Sequence, residues 1–120
     1  MQSHALHFFH LASPDLLFGF DSDPNRRNIV GVAAAHPDTA RQGVLLRKYG
    51  QEVIRATAGK RVHGTGSVPG GVNRHLSADD HALLVRELPQ MLAFAQQAVA
   101  LVRQLHTQNP ALHDGFGRFR

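Results

Sequence analysis

Apolar side chains recur at helical spacing in several segments of the chain, with polar residues between them. The clearest stripe advances by four, four and three residues and consists of Leu45, Tyr49, Val53 and Ala56. This period predicts an amphipathic helix. A proline start signal at residues 36–38 and a stop at Gly59 predict that it covers residues 37–58. Gly43 and Gly50 lie inside it and each weakens it by about 1 kcal/mol relative to alanine, so tertiary packing must hold it.

Three shorter helical segments are predicted ahead of this helix. Residues 1–11 are apolar at helical positions but have no capping residue at their start. Ser13 followed by Pro14 predicts a new start for a short segment, with Ser13 as the N-cap. The same kind of signal, here Asp-Pro, predicts a helix over residues 23–35. Its expected buried face consists of Ile29, Val32 and Ala33.

Two helices separated by a proline are predicted in the C-terminal part of the chain. Ser77 is the expected N-cap of the first, with Asp80 three residues later as in a capping box. Pro89 is expected in the first turn of the second helix, because a proline inside a helix removes a backbone hydrogen bond. This helix is expected to reach about His106, and residues 107–120 are expected to fray. Its apolar side carries Leu92, Ala95, Val99, Val102 and Leu105.

Residues 59–75 are predicted to form a loop, because five of the eleven glycines fall there. An extended pair is expected around Val62 and residues 68–72. The glycine spacing Gly-x-Gly-x-x-x-Gly is one residue too long for the dinucleotide-binding fingerprint, and the loop follows a helix rather than a strand. An alternative function stays open: a free-standing helical module whose loop amides, with Arg61 and Arg74 beside them, bind an anionic ligand.

Composition limits the classes of protein to consider. A length of 120 residues predicts one domain, and 42% hydrophobic with 18% charged residues argues against wholesale disorder. The chain has no cysteine, which excludes a disulfide scaffold, a thiol nucleophile and metal sites held by cysteine. Apolar runs are far shorter than the ~18 residues of a membrane span, and the N-terminus does not resemble a signal peptide. The expected location is the cytoplasm.

The net charge of +4 arises mainly from one short stretch of the chain. Residues 47–63 contain five basic residues against a single acid. A nucleic-acid binder usually has a broader basic surface with interleaved aromatic residues, and only Tyr49 lies nearby. No nucleic-acid partner is therefore expected.

Three histidines near the N-terminus are candidates for metal binding. They stand three residues apart and are His4, His7 and His10. Metal-binding histidines on a helix are usually four residues apart or share their patch with a carboxylate, and neither condition holds here. Histidines that pack in the helix or face a partner are the favoured interpretation.

Several short motifs, densest over residues 47–77, form a recognisable pattern. The densest part includes His63-Gly64, the run Ser67-Val68-Pro69-Gly70-Gly71-Val72-Asn73, and Leu76-Ser77. Further motifs are Gln2-Ser3-His4, Leu17-Phe18-Gly19, Arg27-Asn28 and Gly50-Gln51-Glu52-Val53-Ile54. In this order, and over nearly the whole chain, they resemble the large subunit of cytosolic, NAD-linked bidirectional nickel–iron hydrogenases.

The resemblance implies a mainly α segment of a longer subunit, with several helices around a Gly/Pro-rich loop. In the family, four cysteines in two Cys-x-x-Cys pairs hold a nickel–iron centre, a small subunit carries an iron–sulfur cluster, and a diaphorase module passes electrons to NAD. The resembling stretch lies between the two pairs, so residues 1–120 are expected to be an interior part of one domain. Without cysteine, the chain is expected to bind no cofactor and to be inactive alone.

The resemblance also implies where the chain meets its partners, the small subunit and the diaphorase module. The loop is expected to face the small subunit. The implied interface residues are His63, Ser67, Pro69, Gly70 and Gly71. His63 is expected to form hydrogen bonds or handle protons near the metal site rather than to bind metal. No catalytic, cofactor-binding or metal-binding role is transferred to any residue.

Overall fold

The computed structural model describes residues 1–114, without the side chains of residues 112 and 113. This part of the chain is mainly helical, as predicted. The elements are α1 (Gln2–Leu6), a π-helical segment (His7–Ala12), α2 (Ser13–Phe18), α3 (Ile29–Ala35), α4 (Pro37–Ala58), β1 (Ser67–Val68), β2 (Gly71–Val72), α5 (Ala78–Gln108) and α6 (Pro110–Asp114). None of the helices within residues 1–114 has the length and hydropathy needed to cross a membrane.

The central element is α4, which contacts α1, α3 and α5. Its predicted limits are confirmed, and Gly59 ends it in the left-handed conformation with φ of 77°. The hydroxyl of Tyr49 on α4 donates a hydrogen bond to the Leu84 carbonyl on α5 at 3.0 Å. The core lies where α1, the π-helical segment and α5 pack against α4. Its buried members are Ala5, Phe9, Leu46, Tyr49 and Met91.

The two glycines inside α4 lie where the N-terminal helical stretch crosses it. A Cβ atom built on Gly43 would overlap the Phe9 side chain at its Cβ and lie 2.7 Å from its Cγ. A Cβ atom built on Gly50 would lie 2.8 Å from the Cα of Gln2. Both glycines are buried, so the close approach of the two helices depends on the missing side chains. The expected dependence of α4 on tertiary packing has this physical basis.

The predicted short helical segment after Ser13 is confirmed as α2, which ends at Gly19. The helical backbone is continuous through Ser13, however, so the prediction that Ser13 is an N-cap is wrong. Ser13 is only 2% exposed, and its hydroxyl donates a hydrogen bond to the Phe9 carbonyl at 2.6 Å. In a π-helical turn that carbonyl would accept from the amide of residue 14, but Pro14 has no N–H. The Ser13 side chain therefore replaces a missing backbone hydrogen bond instead of capping a helix.

The helix predicted over residues 23–35 begins only at Ile29, which corrects the predicted start. The Asp23 carboxylate accepts a hydrogen bond from the backbone amide of Asn25 at 2.9 Å, which stabilises a turn rather than a helix. Asn28 is the N-cap, and its side-chain oxygen accepts from two first-turn amides at 3.0 Å each. Asp23 thus starts a turn, and Asn28 starts α3.

The buried face of α3 is narrower than predicted. Val32 is completely buried, whereas Ile29 is 39% exposed and Ala33 is also exposed. Among the helices of the described chain, α3 packs closely only against α2 and α4. This packing covers only part of the apolar side of such a short helix.

Pro89 lies inside α5, so the prediction of two separate helices is wrong. The helix runs without a break for 31 residues. Its start agrees with the prediction, because the Ser77 hydroxyl accepts a hydrogen bond from the Asp80 amide at 3.1 Å. Pro89 deprives the Val85 carbonyl of its helical partner. Val85 is 51% exposed, so the lost hydrogen bond falls on a solvent-facing part of α5 rather than in the core.

The side of α5 that faces the core also differs from the predicted one. Met91 is 5% exposed, and Phe94 and Ala98 pack against the same core. The exposed members of the predicted side are Leu92, Ala95 and Val99. Adjacent residues on a helix are about 100° apart, and both sides of α5 are apolar. Periodicity alone therefore predicted the wrong side of α5 as the buried one.

The C-terminal part of the described chain is helical further than predicted. After α5 ends at Gln108, residues Pro110–Asp114 form α6. The remainder of the segment expected to fray, residues 115–120, lies outside the described residues.

Candidate functional site: the loop between α4 and α5

The loop between α4 and α5 contains a short β-hairpin in which β1 and β2 pair antiparallel. Pro69 and Gly70 form its turn, and Gly70 has φ of 86°, a conformation that side chains disfavour. The predicted extended pair is therefore limited to residues 67–72, and Val62 lies outside it.

The whole loop is accessible on the molecular surface, since every residue from 59 to 79 is exposed. This range contains all five residues that the resemblance assigns to a subunit interface: His63, Ser67, Pro69, Gly70 and Gly71. His63 has φ of 50°, which is uncommon for a residue other than glycine. The five residues thus lie on one exposed loop, and their contacts with a partner stay a prediction.

Gly64 brings the first half of the loop against the end of α4. A Cβ atom built on Gly64 would lie 2.7 Å from the Cβ of Ala58 and 3.3 Å from the Cγ2 of Ile54. Both distances are shorter than ordinary van der Waals contacts, so the approach requires glycine. This contact directs the loop as it leaves the helix.

A chain of five alternating charges connects both ends of the loop to the helices. Its order is Arg61, Glu52, Arg55, Asp80 and Arg74. Arg61 near the start of the loop lies 2.5 Å from Glu52 on α4, and Arg74 near its end lies 3.2 Å from Asp80 on α5. Arg55 contacts both carboxylates, Glu52 at 2.7 Å and Asp80 at 2.5 Å. We call these five residues the ion chain.

The two carboxylates of the ion chain are held in their charged form. Hydrogen bonds from Arg55 and then from Arg61 lower the pKa of Glu52. A hydrogen bond from Arg55 is the largest cause that lowers the pKa of Asp80. The hydrogen bond to Glu52, followed by that to Asp80, raises the pKa of Arg55. All three groups are therefore ionised near neutral pH.

The ion chain predicts a loss of stability in acid. Because Glu52 and Asp80 have lower pKa values in the folded chain than when unfolded, their contribution is complete at neutral pH. It is lost as the pH falls below about 4 and through the folded-state pKa values. In urea unfolding, the variant Glu52→Gln should be less stable than the original chain at pH 7, and the difference should shrink towards pH 3. A difference that stays constant over this range would contradict the assignment.

The two arginines proposed for an anion-binding nest are already paired with carboxylates. Arg61 donates to Glu52 through Nε and Nη2 at 2.8 and 2.5 Å, and Arg74 donates to Asp80 at 3.2 Å. An anionic ligand would have to displace these carboxylates to bind the guanidinium groups. The arrangement counts against the anion-binding interpretation.

The donor atoms present do not fit a nickel–iron centre of the kind found in the resembling family. Such a centre needs thiolate ligands, and the chain contains no cysteine. Among the side chains that the structure describes, no three of His, Asp or Glu converge as metal ligands would. His4 and His7 are exposed, whereas Nδ1 of His10 is buried without a hydrogen-bond partner in this part of the chain.

Comparison with known proteins identifies relatives among hydrogenase subunits, although no family model matches the chain. A subunit of the F420-non-reducing hydrogenase vhu of Methanocaldococcus jannaschii is 43% identical over 108 residues, which are 90% of this chain and 26% of that protein. The beta subunit of the NAD-reducing hydrogenase HoxS of Cupriavidus necator is 39% identical over 122 residues, covering 97% of this chain and 25% of that protein. The chain is related to one part of a hydrogenase subunit.

A solved structure agrees with this hydrogenase relationship. The chain superposes on a subunit of an NAD⁺-reducing [NiFe]-hydrogenase in the H2-reduced state with a TM-score of 0.91 and 50% sequence identity. The match covers 98% of this chain and 26% of that one. The mainly α fold of this hydrogenase-related chain is thereby confirmed, and the chain spans about a quarter of the length of the relatives it matches.

The loop of this hydrogenase-related segment is evident in the sequence, but most of the ion pairs that attach the loop to α4 and α5 are not. Glu52, Arg55 and Asp80 were not assigned to the site. The spacing of Glu52 and Arg55, three residues apart on a predicted helix, was a usable signal for an ion pair. The contact between Arg55 and Asp80 joins residues 25 positions apart, and no local pattern indicates it.

Proposed function

We propose that the chain serves as a helical scaffold with a partner-facing loop in the large subunit of a nickel–iron hydrogenase. The observation that carries this proposal is the match to a [NiFe]-hydrogenase chain over 98% of this sequence at 50% identity. At this similarity, corresponding surfaces are expected to have corresponding roles. The complete assembly would oxidise H2 and reduce NAD, and it would be cytoplasmic.

The loop is the proposed surface for the small subunit, and a diaphorase module would complete the assembly. Val72 is 60% and Val68 38% exposed, so the hairpin presents apolar side chains to solvent. Glycine and proline at the hairpin turn allow a partner backbone to approach closely. Exposed apolar side chains on an ordered loop support a role in binding another protein.

The chain by itself is proposed to bind no nickel and to have no hydrogenase activity. The support is chemical, because nickel in this family is held by thiolates that the chain does not contain. Metal analysis after exposure to nickel at neutral pH tests this. Tight one-to-one binding of nickel would contradict it.

A loop substitution tests the proposed interface. Gly71→Arg is expected to lower the affinity for the small subunit of an NAD-reducing hydrogenase at least about tenfold, because it places a bulky charge on the binding surface. A Cβ atom at Gly71 meets nothing within 4 Å, so the fold itself should tolerate the change. Titration calorimetry with the purified full chain and small subunit measures the effect.

The matched control is Val30→Arg, which adds the same charge at a 74% exposed position on α3. It should leave the affinity unchanged. No binding by the original chain, or an equal loss for both variants, would contradict the proposed interface.

A further inference from the structure

The ion chain joins two places that are far apart in sequence but lie at the two ends of one loop. Arg61 follows the end of α4, and Arg74 precedes the start of α5. Each is bound to a carboxylate on a different helix. The two carboxylates have one partner in common, Arg55. The side chain of Arg55 therefore lies at the centre of the arrangement.

Burial differs along the ion chain in a way that makes its centre strongest. The side chains of Glu52 and Asp80 are 16% and 13% exposed, and that of Arg55 is 26% exposed. The outer arginines, Arg61 and Arg74, are 58% and 43% exposed. Exposed ion pairs contribute little on their own, whereas partly buried charged hydrogen bonds contribute more. Each outer arginine is thus paired with a less exposed carboxylate that Arg55 also contacts.

We propose that Arg55 is a positioning residue that holds both ends of the α4–α5 loop in register, through Glu52 to Arg61 and through Asp80 to Arg74. Arg55 sets the distance between the two carboxylates and hence between the two attached ends of the loop. With Arg55 removed, two carboxylates remain close together without their shared cation, and they repel each other. Both ends of the loop then become mobile.

The benefit of an ordered loop rests on the proposed function, in which this loop binds the small subunit. A loop that is ordered before it meets a partner loses less conformational entropy on binding. Arg55 would therefore support the interface without belonging to it.

The absence of cysteine makes a direct measurement possible. Cysteines for spin labels are introduced in pairs, one at Val44 on α4 and one at either Val62 or Val72, near the two ends of the loop. These valines are 56%, 60% and 60% exposed, so the labels replace no core contact. Pulsed electron paramagnetic resonance then reports the distribution of distances from α4 to each end of the loop in the full chain.

Four substitutions in the ion chain and one control give distinct expected patterns. Arg55→Gln should widen both distance distributions about twofold or more. Arg61→Gln should widen mainly the distribution at Val62, and Arg74→Gln mainly that at Val72. Arg55→Lys keeps a positive charge and should restore part of the order, which a purely steric role would not predict. Arg27→Gln removes a partly exposed pair with Asp15 at 3.5 Å and a hydrogen bond to the Phe20 carbonyl, both outside the loop. It is the control and should change neither distance distribution.

The outcomes that would overturn the inference are equally distinct. Unchanged distributions in Arg55→Gln, or widening at one end only, would show that Arg55 does not hold both ends. If circular dichroism shows Arg55→Gln to be unfolded, Arg61→Gln and Arg74→Gln provide the test. Equal widening at both ends of the loop in either variant would refute the proposal that each end is held through its own arginine. Small-subunit binding separates the two proposals: widened distributions in a chain that binds no small subunit would support Arg55 and refute the interface.

Discussion

Truncation of Met91 to alanine is expected to lower the free energy of unfolding by about 3 kcal/mol, within the range for large-to-small changes in a packed core. Met91 is 5% exposed and belongs to the core cluster between α4 and α5. Its loss removes apolar contacts and leaves a cavity that the surrounding packed side chains fill only in part. Urea unfolding monitored by circular dichroism measures the effect.

The neighbouring residue is a matched control for this prediction. Leu92 is 56% exposed, and its truncation should cost about 1 kcal/mol or less. The contrast tests which side of α5 faces the core. Equal costs at the two positions, or a greater cost at Leu92, would mean that the helix is rotated from the orientation described above.

Replacement of Gly43 by alanine is expected to destabilise the chain by about 2 kcal/mol, although alanine favours a helix by about 1 kcal/mol. The added methyl group overlaps the base of the Phe9 side chain, which cannot move without shifting the N-terminal helical stretch. Gly50→Ala should act in the same direction, because its methyl group meets the backbone of Gln2 at 2.8 Å. Thermal and urea unfolding of the single variants measure both effects.

Gly71→Ala is the control for these substitutions. Nothing lies within 4 Å of a Cβ atom at Gly71, so its replacement should change the free energy of unfolding by about 0.5 kcal/mol or less. If Gly43→Ala instead stabilises the chain by the amount expected from helix propensity, the close helix crossing is incorrect.

Sequence reasoning succeeded where one local feature decides the structure. The stop of α4 at Gly59 depends on a left-handed conformation that glycine adopts at little cost. The start of α5 depends on the Ser77 hydroxyl, which accepts a hydrogen bond from the amide of Asp80, three residues later. Each of these features acts over at most four residues.

The errors have a common cause, since in each case a local signal has two possible uses. Ser13 before Pro14 is typical of a helix start, yet in a π-helical stretch the same hydroxyl replaces the amide that proline lacks. Pro89 is typical of a helix boundary, yet packing of α5 against α4 keeps the helix intact across it. The local preference for a helix boundary at such residues is only a few kcal/mol. Tertiary contacts contribute free energies of similar size and can therefore override it.

Periodicity, single capping residues and contiguous motifs are local properties of the chain. They predict the mainly helical class, the limits of α4 and the glycine-rich loop, and they carry the resemblance to hydrogenases. The packed structure is needed to see which apolar side of α5 is buried, why positions 43 and 50 are glycine, and that Arg55 contacts both Glu52 and Asp80. These features depend on atoms brought together from distant parts of the chain, as Arg55 and Asp80 are. A pattern along one helix contains no information about the surface that packs against it.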